Sequence, residues 1–147
     1  MKILNKKAAE VFLSLIKDLN EGNTHIKFDN APGSFMSLSV ELLESNLIIN
    51  EVLRVKIYSL AHYYEQAGDL IADPEMTFAA IVNTVLSSEL VHIAPLTFQN
   101  AMVYSEGMYF EKGRLMIRKK VQADMTNFAN IWMKNIYDQQ LIERRAA

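Results

Sequence analysis

The chain has 147 residues, half of them hydrophobic and 22% charged, with five glycines, three prolines and no cysteine. That composition excludes a disordered, collagen-like or proline-rich scaffold, and the length suits one compact domain over 1–147. A net charge of −2 at pH 7 argues against a chain devoted to coating nucleic acid or an anionic membrane, and the lack of cysteine removes disulfides, thiolate metal sites and thiol nucleophiles. No apolar run approaches the ~20 residues needed to cross a bilayer, and the basic start Met1-Lys2-Ile3-Leu4-Asn5-Lys6-Lys7 leads into no signal-peptide core, so a cytoplasmic protein without membrane contact is expected.

Over 5–20, Val11, Phe12, Leu15, Ile16 and Leu19 fall on one helical stripe with Lys6, Lys7, Glu10, Lys17 and Asp18 elsewhere, which predicts an amphipathic helix with Asn5 as N-cap and Gly22 beyond its end. From 24 to about 64 the period changes to two. Asn30-Ala31-Pro32-Gly33-Ser34 reads as a loop between extended runs, Met36, Leu38, Val40 and Leu42 alternate with Ser37, Ser39 and Glu41, and Ser45-Asn46 reads as a turn before Leu47-Ile48-Ile49. In the following strand Leu53, Val55, Ile57, Ala61 and Tyr63 share one face, while Arg54, Lys56, Tyr58, His62 and Tyr64 take the other. Asp73-Pro74-Glu75 has the form of a helix opening, but period-two alternation favours a strand over 70–80, followed by a short helix or irregular connection over 81–92. After Pro95 the aromatic and Met-rich stretch Phe98, Met102, Tyr104, Met108, Tyr109, Phe110 predicts strands with Glu111-Lys112-Gly113-Arg114 as a turn before Leu115-Met116-Ile117. A second amphipathic helix is expected over 124–143, with Asp124 as its cap, Met125, Phe128, Ala129, Trp132, Ile136 and Tyr137 as its stripe, and Arg144-Arg145 at its end. The whole is an α+β fold, an antiparallel β-meander with an N-terminal and a C-terminal amphipathic helix packed on one face.

Titratable side chains concentrate around 60–75. With Ala67-Gly68 as a two-residue hairpin loop, Gln66 faces Asp69 and His62 faces Asp73, a register that also sets Val55, Ile57, Ala61 and Tyr63 beside Leu70, Ala72, Met76 and Phe78. The opposite face then gathers Tyr58, His62, Tyr64, Asp69, Asp73 and Glu75. A histidine across from a carboxylate has a raised pKa and one favoured tautomer, suited to a general base or to a metal site of His62, Asp73 and Glu75, with Glu41 in reach. Opposed charges on an open sheet face also stabilise it by ~0.2–1 kcal/mol with no ligand involved, and no HExxH, EF-hand, GxSxG or P-loop spacing is present, so no metal or cofactor is expected. A second candidate is the basic cluster Lys112, Arg114, Arg118, Lys119 and Lys120 near Tyr104, Tyr109 and Phe110, which could hold phosphates and stack bases of a single strand or simply blunt a sheet edge.

The run Ala61-His62-Tyr63-Tyr64-Glu65-Gln66-Ala67-Gly68-Asp69-Leu70, followed by Asp73-Pro74-Glu75-Met76-Thr77-Phe78, resembles an uncharacterised family of small proteins from phages, plasmids and conjugative elements. The resemblance takes in Leu38, Val40 and Glu41 upstream, Pro95, Phe98 and Asn100 downstream, and Phe128, Trp132, Asn135, Ile136 and Gln139 near the end. The family pattern has Asn where this chain has Ala67, and Asp where it has Ala101. What the resemblance implies is a mobile-element setting without assigned catalytic residues. The leading expectation is therefore a non-enzymatic accessory protein that binds a protein partner in host interaction or counter-defence. Its alternatives are a small metal-dependent hydrolase or nuclease on His62, Asp73 and Glu75, and a single-strand nucleic-acid binder through Arg114 to Lys120. An exposed Tyr58, Tyr64 and Met face would suit a homodimer.

Overall fold

A computed structural model describes residues 1–28, 36–84 and 90–139. The expected Asn30–Ser34 loop, the centre of the 81–92 connection and Arg144-Arg145 lie outside the described residues.

Helix α1 (Lys6–Ile16) begins where the sequence places it, because extended Asn5 accepts the Ala8 backbone N–H on its side-chain oxygen. It ends earlier than residue 20. Leu19 N–H closes a tight turn onto Ile16 C=O, and Asn20 and Asn23 then bond each other's backbones, so Gly22 sits in a separate turn rather than at the helix end. Six strands follow in one open antiparallel sheet, ordered as in the sequence: β1 (His25–Phe28), β2 (Leu38–Ile49), β3 (Leu53–Gln66), β4 (Asp69–Asn83), β5 (Val91–Gln99) and β6 (Tyr104–Glu106). A separate hairpin, β7 (Met108–Glu111) and β8 (Arg114–Ile117), precedes helix α2 (Lys119–Gln139).

The expected Ser45-Asn46 turn is instead a bulged stretch inside β2, where the Glu44 carboxylate accepts the Ser45 and Asn46 N–H groups; the chain reverses after Ile49. The strand reading of 70–80 holds and extends to Asn83. The Ala67-Gly68 loop also holds, both residues having positive φ, as a two-residue hairpin turn of the primed type requires. α2 starts at Lys119 with Asp124 inside it, because Arg118 N–H bonds Gly107 C=O and Gln122 N–H bonds Arg118 C=O, the first rung of the helix.

Both helices cover one face of the sheet. Phe12 and Leu15 of α1 and Met125, Ala129, Trp132, Met133 and Ile136 of α2 bury against Leu38, Val40, Tyr58, Leu60, Met76, Phe78 and Ile93. Phe12 centres this core, its ring 5.0 Å from Phe78 and 5.8 Å from Tyr58. The other face carries a second core at one end, where Ile49, Val55, Ala79, Ile81, Ala94 and Leu96 pack with Met108, and Phe110, Leu115 and Ile117 close over them. The hairpin thus covers part of the face that the helices leave open.

Candidate binding face

Register decides which titratable groups meet. From the tip of the β3–β4 hairpin, Gln66 pairs with Asp69, Glu65 with Leu70, Tyr64 with Ile71 and Tyr63 with Ala72, as the two-residue loop predicts. The ladder then slips: Ala61 pairs with Glu75 and Leu60 with Met76, leaving Asp73 and Pro74 opposite the single residue His62. This is a β-bulge, and proline belongs in one because it has no N–H to give the ladder. The expected His62–Asp73 pair is therefore not formed. The same slip puts Met76 and Phe78 on the opposite face from Val55, Ile57, Ala61 and Tyr63, which lie instead beside Ala72, Ala79 and Ile81.

Side chains alternate along β3, so Tyr58, Leu60 and His62 face the helices while Ser59, Ala61 and Tyr63 face away. His62 is buried against Trp132, ring centroids 5.7 Å apart, and its Nδ1 donates to the Ser37 carbonyl at 3.1 Å. Since a carbonyl only accepts, that bond assigns the ring proton to Nδ1. Burial pushes the His62 pKa down, with the Ser37 carbonyl and the charge of Asp73 partly offsetting it. The raised value expected from a direct carboxylate partner is overturned. Tyr64, Asp69 and Asp73 share the His62 face on the hairpin arm, the two acids exposed.

Glu75 and Glu41 lie on the other face, Glu75 directly across from Ala61 and Glu41 directly across from Ser59. His62 and Glu75 are thus separated by the sheet. Among the described residues no three His, Asp or Glu side chains come together to hold a metal ion. On the outer face Tyr63 donates its hydroxyl to Glu75 Oε2 at 2.8 Å. Its pKa is pushed up to about 12, chiefly by burial, then by the hydrogen bond to Glu75 and the charges of Glu75 and Glu41. The phenol is therefore a proton donor at any physiological pH.

The ladders extend this cluster across the whole sheet. One row of directly opposed residues runs His25, Glu41, Ser59, Thr77, Thr97, Glu106, and the next runs Lys27, Ser39, Ala61, Glu75, Gln99, Tyr104. Apart from Ala61 every position is polar or tyrosine, none belongs to either core, and Thr77 and Thr97 join hydroxyls at 2.5 Å. Six strands make the rows roughly 24 Å wide at ~4.8 Å per strand. Of these residues the sequence singled out Glu41 and Glu75 as candidates for a site, and Tyr104 as a companion of the basic cluster. Period two continuing through Thr97 and Gln99 was the available signal, but which strands lie side by side is not written in any one of them.

The basic cluster is exposed but scattered. Lys112 occupies the β7–β8 turn, Arg114 opens β8, and Lys119 and Lys120 open α2. The Arg118 guanidinium stands 5.4 Å over the Tyr109 ring, whereas Phe110 packs into the second core and Tyr104 belongs to the polar rows. Among the described residues Tyr109 is the one ring of the three with a cation over its face. No described helix is long and apolar enough to cross a membrane.

An open antiparallel sheet with helices on one face and a hairpin on part of the other defines the protein as an α+β fold in which, among the described residues, no helix or hairpin packs over a broad polar stretch of the sheet. Residues 7–142 match the family described as Domain of unknown function (DUF6908), and the chain belongs to that family. No curated protein and no solved structure matches the chain.

Proposed function

We propose that this protein is a non-enzymatic binding module, an accessory protein of a mobile genetic element that works in the cytoplasm without a cofactor and docks a protein partner on the outer sheet face. The mobile-element setting rests on the resemblance carried by the 61–78 run. The docking surface rests on one observation, the two polar rows that cross all six strands outside both cores. Such a surface is stable in water and offers many fixed donors and acceptors, which favours orientation-specific recognition of another protein over desolvation of a small substrate.

The test is affinity capture from host lysate with the intact protein, with Gln99→Arg, which sets a bulky cation in the second row, and with Lys134→Glu on an exposed position of α2. A stoichiometric partner held by the parent and by Lys134→Glu but lost with Gln99→Arg is expected. Capture indifferent to Gln99→Arg, or repeated failure to retain any stoichiometric partner, overturns the proposal.

A further inference from the structure

We infer that the partner presents an arginine to this face, with its guanidinium seated between Glu41 and Glu75 beside Tyr63, an inference that rests on the docking reading above. Glu41 and Glu75 both act on the Tyr63 phenol, and Tyr63 already spends its one donor on Glu75. Neither carboxylate is matched by a lysine or arginine ion pair among the described residues. The one lysine of the rows, Lys27, stands at the β1 edge, three strands from Glu75, roughly 14 Å at ~4.8 Å per strand. His25, directly across from Glu41, is the nearer internal partner for that acid, but it leaves Glu75 unmatched.

A second observation points to an incoming group. Ser59 is only 9% exposed, lies in the row between Glu41 and Thr77, and its hydroxyl makes no hydrogen bond to any described residue. Thr77, its neighbour in the row, bonds Thr97 instead. A buried hydroxyl without a partner beside a carboxylate is a place where a ligand donor is favourable. Two carboxylates and a hydroxyl call for several N–H donors in one plane, which a guanidinium supplies in a fixed fork and an ammonium does not. The Tyr63 ring, 37% exposed, adds a surface for the guanidinium to stack on.

The probe is the peptide acetyl-Gly-Ser-Arg-Ser-Gly-amide against its citrulline counterpart, followed by backbone amide NMR of the full chain at about 0.15 M salt, where exposed charges farther than ~8 Å are screened. Shift changes centred on Glu41, Ser59, Tyr63 and Glu75 are expected, with affinity reduced about tenfold or more by citrulline, which keeps the shape and loses the charge. Glu75→Gln retains an oxygen for Tyr63 and should give the same reduction. Equal binding of the citrulline peptide, shifts centred elsewhere, or no shift up to about 10 mM peptide overturns the inference. Partner capture that stays sensitive to Gln99→Arg while the two peptides behave alike removes the arginine and leaves the docking surface standing.

Discussion

Gln122 offers the sharpest test of how this fold is held together. Its side chain is 1% exposed on α2, yet it bonds the backbone of a residue 120 positions away: Oε1 accepts the Lys2 N–H at 2.8 Å and Nε2 donates to the Lys2 C=O at 2.7 Å, with Pro95 C=O at 3.5 Å. One amide thus clamps the segment before α1 onto α2. Replacing it by leucine keeps the volume, loses both bonds and leaves the two partly buried Lys2 groups unpaired. At ~1 kcal/mol for each bond and ~1–3 kcal/mol for an orphaned group, Gln122→Leu should cost about 2–4 kcal/mol. That corresponds to a melting temperature lowered by about 5–15 °C for a chain of this size. Urea unfolding followed by fluorescence of Trp132, the single tryptophan, reads the loss directly, and faster hydrogen exchange at the Lys2 amide locates it. A loss below about 1 kcal/mol with Lys2 exchange unchanged would show that Gln122 does not hold the segment. Gln122→Glu sharpens the sign. The carboxylate keeps the Lys2 N–H bond but turns an oxygen toward the Lys2 carbonyl, so the variant should be least stable at neutral pH. Burial raises the carboxyl pKa in the folded state, and the deficit should shrink as pH falls through that value and the protonated oxygen donates.

Other consequences follow from single residues. Because burial lowers the His62 pKa, the unfolded chain binds the extra proton first; stability should fall as pH drops below the unfolded value of about 6.5, and His62→Gln should flatten that slope between pH 7 and 5. Parallel pH profiles for the two proteins would remove His62 as the cause. Ala67 holds φ at 53°, a conformation that costs alanine ~1 kcal/mol and asparagine less, so Ala67→Asn should raise stability by about 0.5–1 kcal/mol in urea unfolding. Phe12→Ala empties the centre of the helix-side core and should cost about 3–5 kcal/mol in the same assay; a cost below about 1 would mean the site collapses freely.

The primed β3–β4 hairpin turn holds Ala67 in the left-handed region, which asparagine tolerates better than alanine. That hairpin was legible because it is local: a two-residue loop fixes the first rungs of its ladder. The bulge at Pro74 was not, although its cause is a single residue, because the alternation on both sides reads equally well with or without one extra residue. That single insertion sent Glu75 to the face opposite His62 and broke the expected ligand set.

Period and capping residues, which act over one turn or one strand, determined by themselves the two amphipathic helices, the Asn5 cap, the strand character of 70–80 and the β7–β8 turn at Lys112-Gly113. The meander order of β1 to β6 was also legible, whereas tertiary structure alone decided the register between the strands, that the hairpin covers a second core, and that α2 starts at Lys119 on the Gly107 carbonyl. It also decided that His62 is buried on the helix side while Glu41, Ser59, Tyr63 and Glu75 share the opposite face of the sheet. The reason is physical: a side chain's face within a strand is set by the chain itself, but its neighbours are set by register against strands that the local sequence does not specify.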